Sequence, residues 1–233
     1  MTQEPAHTTA TRAAYDTVAA AYADLLADAL DTNPFDRAVL ALFAELVHAA
    51  AATASRASAA TARPGPVLDL GCGPGRITAH LAALGLDARG IDLSPAMVEQ
   101  ARARHPGLDF RVGQITALDL PADSAAGLVA WYSLIHIPPA EHPGVLRGFR
   151  RILTPGGLLL VAFHVGDERR HITDAYGHTG LDYEAYRLPP DRVEQQAVAA
   201  GFEPVARLIR EPISSPPNSE RSPQAYVLLR ARN

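Results

Sequence analysis

The spacing of apolar positions changes once along the chain, and that change divides it in two. From Ala13 to Leu30, Tyr15, Val18, Ala19, Tyr22, Leu25, Leu26 and Leu30 recur every three or four residues, which is one face of an amphipathic helix. Asn33-Pro34 breaks that helix, and Phe35, Val39, Leu42, Phe43, Leu46 and Val47 form the stripe of a second one. The low-complexity stretch Ala49 to Ala62 predicts a frayed helix end and a connector. Arg63-Pro64-Gly65-Pro66 then punctuates the chain. Ahead of these helices, the polar residues 1 to about 12 predict a mobile end.

Past residue 63 short apolar runs alternate with helical patterns. Strands are expected at Val67–Leu70, Ala88–Ile91, Leu108–Val112, Gly127–Tyr132 and Leu158–Phe163. Between them lie helices at Ile77–Leu84, Ala96–Arg104 and about Ala140–Leu153, the second with Ser94 as N-cap and Pro95 in its first turn. Leu158–Phe163 is apolar throughout, as a strand covered on both faces must be. This rhythm predicts an α/β fold with a mainly parallel sheet. Gly166 to Leu188 interrupts it with a polar, aromatic stretch that predicts a long functional loop, a lid insert at about 166–188. A helix from Asp191 to Ala200 follows, and then strands at Val205–Ile209 and Ala225–Leu229. They are joined through Ser214–Ser222 without a helix, so one member is antiparallel. The expected organisation is a helical cover over residues 1–62 and an α/β domain over 63–233.

Composition narrows the classes. The 233 residues are 48% hydrophobic, with no apolar run long enough to span a membrane. The net charge of -4 gives no general electrostatic reason to bind nucleic acid. One cysteine, Cys72, excludes an intrachain disulfide and a cysteine-rich zinc site. The polar N-terminus lacks the apolar core of a signal peptide, which leaves a soluble cytoplasmic protein as the expectation.

The chemistry concentrates in Val67-Leu68-Asp69-Leu70-Gly71-Cys72-Gly73-Pro74-Gly75-Arg76. A strand delivers this loop to the carboxyl edge of the sheet, and the next helix points its free N–H groups at a bound anion. Asp92, 23 residues after Asp69, ends the second strand where a carboxylate can accept both hydroxyls of a ribose. These features predict a nucleoside-containing ligand with an anionic end. The glycines run G-x-G-x-G, not G-x-G-x-x-G, and an acid at Asp69 disfavours a pyrophosphate. An amino-acid nucleoside fits this polarity better than NAD.

Four segments in this order, VLDLGCGPG, GIDLSPAMV, LVAWYSLIHI and RILTPGGLLLVAF, resemble the class I S-adenosylmethionine-dependent methyltransferases over about residues 64–230. The resemblance implies a Rossmann-like, seven-stranded, mostly parallel sheet with an antiparallel last strand and helices on both faces. It also implies S-adenosylmethionine as cofactor. Gly71, Cys72, Gly73, Arg76 and the Asp69 region would hold the methionine part, and Asp92 the ribose. Leu93 and Met97 would pack on the adenine, with Gln114 and Ile115 at its edge. Trp131, Tyr132 and Ser133 would lie beside the sulfonium, and Tyr15 and Tyr22 would close over the cofactor.

Several residues keep two readings. Tyr15 and Tyr22 either cover the ligand or simply stack the first helix on the domain. Met97 is equally at home as core filling. His136 follows the fourth strand, as a general base or as a structural pocket wall. His164, His171 and His178 recur every seven residues, too far apart along a helix for one metal, so no metal is expected. His164, Tyr176 and His178, with Tyr22 and His136, are instead candidates to touch a substrate. Arg147, Arg150 and Arg151 read as a solvated face. The expected activity is methyl transfer to oxygen or nitrogen of a small molecule; the composition, rich in Ala, Arg and Pro, suggests a specialised metabolite. The alternatives are a cofactor-binding regulator or partner subunit without transfer, or an NAD-dependent oxidoreductase.

Overall fold

A computed structural model describes residues 4–57, 65–213 and 220–232. Two long helices, α1 (Ala6–Leu25) and α3 (Pro34–Ala57), flank the single turn α2 (Ala29–Thr32). Asn33 accepts the N–H groups of Phe35 and Asp36 at 3.1 and 3.3 Å through Oδ1, and so starts α3 with Pro34 in its first turn. The expected mobile end gives way to helix from Ala6 onward, whereas residues 1–3 lie outside the described residues. Thr8 and Thr11 are buried there, so the segment is covered despite its polarity. The connector after Ala57, including residues 58–62, also lies outside the described residues, as do 214–219 of the expected hairpin connection.

The alternating part follows as β1 (Val67–Leu70), α4 (Arg76–Ala83), β2 (Ala88–Asp92), α5 (Pro95–Arg104), β3 (Asp109–Val112) and β4 (Ala125–Trp131). Then come α6 (His142–Ile152), β5 (Leu153–His164), β6 (Arg169–Ala175), β7 (His178–Tyr186), α7 (Pro190–Ala199), β8 (Phe202–Arg210) and β9 (Gln224–Ala231). Seven strands make one sheet in the order β3-β2-β1-β4-β5-β9-β8. The first five pair in parallel, and β9 runs antiparallel to both of its neighbours. The expected α/β architecture with one reversed strand is therefore present.

Burial explains why β5 has no polar face. Leu159, Val161 and Phe163 pack into the core beneath α6 and α7 with Phe149, Val193 and Phe202. Leu158, Leu160 and Ala162 point the other way, onto Phe43 and Val47 of α3 and Leu81 of α4. Smaller clusters hold the outer helices. Val98 and Ala101 of α5 meet Phe110 and Cys72, while Ala14, Val18 and Ala19 of α1 meet Met97, Leu181 and Tyr183. Among the described residues no helix is long and apolar enough to cross a membrane.

The expected loop at 166–188 is instead a two-stranded antiparallel hairpin, β6–β7. Its two-residue turn is Tyr176-Gly177, both at positive φ (53° and 78°), and this left-handed geometry matches strand twist in tight hairpins. Leu181 and Tyr183 alternate inward on β7 against α1, so the hairpin props that helix rather than hanging free. Arg150 and Arg151 also depart from a purely solvated face. Arg151 donates to the carbonyls of Leu120 and Leu118 at 2.6 and 3.1 Å, and Arg150 to that of Leu153 at 3.3 Å.

Gly90 in β2 is packed too closely for any side chain. A Cβ there would stand 2.5 Å from the Phe110 ring and 2.7 Å from Cys72 Sγ. Gly90→Ala should therefore destabilise the fold by about 1–3 kcal/mol through overpacking. Urea unfolding should show a lower midpoint with an unchanged slope; an unshifted midpoint would contradict the packing.

Candidate active site

The strand order sets β1 beside the central β4, with the chain moving outward from β1 through β2 and β3 before crossing back to β4. Neighbouring connections thus diverge at the carboxyl ends of β1 and β4, which opens a crevice there. Gly71 leaves β1 at φ 80°, and a Cβ on it would lie 2.3 Å from Ser133 Cβ. Only glycine lets the loops after β1 and β4 approach so closely. The Gly71 and Cys72 N–H groups donate to the Ile91 carbonyl at 2.7 and 3.1 Å, which locks the loop to β2.

Asp92 ends β2 and braces this loop. Its carboxylate accepts the Gly73 N–H at 2.7 Å and the Ser94 N–H at 2.8 Å. Burial pushes its pKa up to about 6 despite those bonds. Ser94 caps α5 by accepting the Met97 N–H at 3.1 Å, and its hydroxyl donates to Asp16 of α1 at 2.5 Å. Asp69 is fully buried beneath the loop, where Thr78 Oγ1 donates to its Oδ2 at 2.6 Å and its Oδ1 has no partner. Burial pushes Asp69 up to about 7. At the head of α4, Arg76 Nη1 is buried and likewise without a partner among the described residues.

Two adjoining cavities open from the crevice. The inner one, about 770 Å³ including its open mouth, is lined by Gly71, Gly73, Asp92, Leu93, Met97, Gln114, Ile115, Ser133 and His136. The outer one, about 1450 Å³ including its open mouth, takes in Arg76, His164 and Tyr176. Tyr15, Tyr22, Trp131 and Tyr132 line both and form an aromatic collar between them. Three candidates line neither cavity. Asp69 lies under the loop, Cys72 packs against Val98 and Phe110, and His178 stands at the hairpin turn. Their side chains can act on a ligand in either cavity only indirectly.

Sequence reasoning missed His7, Thr8 and Thr11 on the inner wall and Asp36 and Glu220 on the outer one. Thr8, Thr11 and Tyr15 share one helix face at three- and four-residue spacing. That signal was available, but their polarity assigned them to a mobile end. Glu4 adds to this cover, since Gln114 Nε2 and both Arg12 Nη atoms donate to its carboxylate.

His136 sits at the collar. Its Nδ1 lies 3.3 Å from the Glu184 carbonyl of β7, which can only accept, so this nitrogen carries the proton. Nε2 then accepts from the Tyr15 hydroxyl at 2.8 Å. Burial lowers the imidazole to about 4, so it is neutral near pH 7. Tyr132 follows β4 at φ 55°, a strained setting for a tyrosine that turns the chain at the crevice. The Tyr22 and Tyr176 rings meet edge to face at 4.8 Å, and Tyr132 stacks at a tilt on His164 at 4.9 Å. His171 bonds Asp182 at 2.8 Å and His164 bonds Gln224 at 2.8 Å. Among the described residues no three His, Cys, Asp or Glu gather to hold a metal ion.

Residues 67–157 match a family described as a methyltransferase domain. Over 167 residues the chain is 31% identical to malonyl-[acyl-carrier protein] O-methyltransferase of Erwinia billingiae, which covers 66% of each chain. Over 100 residues it is 40% identical to trans-aconitate 2-methyltransferase of Methylobacterium radiotolerans, covering 42% of this chain and 37% of that one. The chain thus spans from just over one third to just under two thirds of these curated relatives. The fold matches 1,6-didemethyltoxoflavin-N1-methyltransferase of Burkholderia thailandensis, solved with 1,6-didemethyltoxoflavin and S-adenosylhomocysteine, at a TM-score of 0.61. That match is 19% identical and covers 100% of this chain and 94% of the other, a likeness of fold.

The depressed His136 pKa has a definite sign in stability. The unfolded imidazole binds its proton near pH 6.5 and the folded one only near 4, so its contribution is present above about 6.5 and lost as pH falls toward 4. An NMR titration of the His136 ring should give a midpoint near 4; a midpoint near 6.5 would contradict its burial.

Proposed function

The chain belongs to the class I S-adenosylmethionine-dependent methyltransferase family, and from that premise we propose that it transfers the methyl group of S-adenosylmethionine to a small-molecule acceptor. The observation that carries this reading is the polarity of the crevice. A buried carboxylate, Asp92, faces the inner cavity at the end of β2, while Arg76 Nη1 and Asp69 Oδ1 wait unpartnered around the glycine loop. A buried cation on the crevice wall and a buried acid beneath the loop favour a ligand that carries both charges, with Asp69 acting on an ammonium only from beneath the loop.

On this reading Asp92 accepts the ribose hydroxyls, and Leu93, Met97 and Ile115 sandwich the adenine, with Gln114 at its edge. Gly71, Gly73, Arg76 and the Tyr22 hydroxyl hold the methionine end, with Asp69 balancing its ammonium from beneath the loop. Cys72 supports the loop through its packing. Trp131, Tyr132 and Ser133 flank the reacting sulfur. When bound, S-adenosylmethionine supplies an electrophilic methyl on a sulfonium. The collar's work is then to align an acceptor from the outer cavity and to exclude water.

His136 has a role consistent with its low basicity. Its Nε2 is occupied by the Tyr15 hydroxyl, so a proton leaving the acceptor reaches it through that hydroxyl. A hydroxyl becomes strongly acidic only as its bond to the methyl forms, and at that stage a base of pKa about 4 suffices, whereas a neutral amine can attack through its lone pair without a base. His164 and Tyr176 border the acceptor, and the β6–β7 hairpin serves as the lid, His178 lying at its turn. The concave outer cavity with its aromatic walls favours a small molecule over a nucleic acid or a membrane. One relative is named for malonyl-[acyl-carrier protein] and the other for trans-aconitate, and the second of these supports a small acceptor without fixing this one.

Calorimetry with S-adenosylhomocysteine tests the reading. The wild-type chain should bind, and Asp92→Asn should weaken binding by about 10- to 100-fold, the loss expected for hydrogen bonds to a charged acceptor. Wild-type affinity should also fall as pH drops below about 6, where Asp92 takes up its proton. No heat from folded wild-type protein would overturn the proposal.

A further inference from the structure

The outer cavity carries a polar pattern that the cofactor does not use. Its deep wall is built from α3 and the final strands. Tyr226 Oη donates to Asp36 Oδ1 at 2.6 Å, and Arg210 Nε donates to that hydroxyl at 3.0 Å. Arg210 also forks onto Glu220 at 2.5 and 2.6 Å, so its charge is spent on a carboxylate that itself lines the cavity. Asp36 is 6% exposed and lines the same cavity with its second oxygen unbonded among the described residues. Trp131 is 5% exposed, lines both cavities, and has an indole Nε1 without a partner among the described residues. Its ring lies 5.5 Å from that of Tyr226, so the lone donor and the carboxylate belong to one wall.

Charge and shape then select the acceptor. Arg76 is the one cation lining the cavity among the described residues, and the methyl-transfer reading commits it to the cofactor. Glu220 is neutralised by Arg210, which leaves Asp36 as the carboxylate of this wall without a cationic partner among the described residues, and a polyanionic acceptor would be repelled there in a site partly screened from water. Beside Thr32, Asn33 and His164 the walls are otherwise aromatic (Tyr22, Tyr132, Tyr176, Trp131) and aliphatic, surfaces that receive a flat ring. We infer that the acceptor is a neutral or cationic aromatic molecule bearing an N–H or O–H donor remote from the methylated atom, that donor resting on Asp36. The inference rests on the methyl-transfer reading, which puts the methylated atom at the collar and leaves Asp36 to recognition alone.

The test is calorimetry on full-length protein saturated with S-adenosylhomocysteine, with 6-hydroxyquinoline, 6-aminoquinoline, quinoline and trans-aconitate as probes. The two substituted quinolines should bind about tenfold or more tighter than quinoline, and trans-aconitate more weakly than any of them. Asp36→Asn should abolish the gap between the substituted and plain rings while leaving the S-adenosylhomocysteine affinity intact, which also checks that the variant folds. The comparison among probes on the unaltered chain stands even if that variant fails to fold. Tighter binding of trans-aconitate, no binding of any quinoline, or a gap that survives Asp36→Asn overturns the inference alone. Failure to saturate with S-adenosylhomocysteine is instead a failure of the methyl-transfer reading, and this inference falls with it.

Discussion

The close approach of the loops after β1 and β4, where Gly71 leaves no room for a Cβ beside Ser133, is the constraint on which the site depends. Parallel strands that diverge leave a gap, and without a stitch across it the gap would be a shallow groove. The stitch draws Trp131 and Tyr132 toward the glycine loop and brings the two cavities into contact at one aromatic collar. It also fixes the Gly73 N–H on Asp92, so the loop and the end of β2 move as one body. A carboxylate whose oxygens are already held by two backbone donors needs little reorganisation to receive two more.

Around that rigid floor the cover is assembled from pieces distant in sequence. Helix α1 is pinned by Asp16 to the head of α5, and the β6–β7 hairpin backs it with Leu181 and Tyr183. The tyrosines at their junction are buried enough that the Tyr15 and Tyr22 hydroxyls resist ionisation, and they act as neutral donors and acceptors. His136 ties the two pieces to the domain, bonded to Tyr15 of α1 and to the Glu184 carbonyl of β7. One side chain thus senses both parts of the cover. A change in either part would be felt at the imidazole.

Much of this was legible in the residues. The unbroken apolar run of β5, the Ser94-Pro95 start of α5 and the glycine loop are local signals, each legible within a few residues. The strands and most helices followed from them, as did the reversed strand. The hairpin at 169–186 was not legible because one face of β6 is charged and exposed, and its turn uses Tyr176 at positive φ, where Asn or Asp is the usual signal. The burial of Thr8 and Thr11 was hidden for a related reason: polar residues at helical spacing look solvated until another element covers them. Asp36 and Glu220 were invisible as a pair because they are far apart in sequence and meet only through Arg210 and Tyr226. Contacts of that kind belong to the folded topology rather than to any local pattern.

The central claim is that the crevice between β1 and β4 seats an S-adenosylmethionine-type ligand against Trp131, the single tryptophan of the chain. Its fluorescence therefore reports directly on that place. Excitation of the indole during titration with S-adenosylhomocysteine should give a saturable change in intensity or wavelength, and equimolar NAD should give none. An emission spectrum that stays unchanged with S-adenosylhomocysteine, or that responds to NAD instead, would contradict the account.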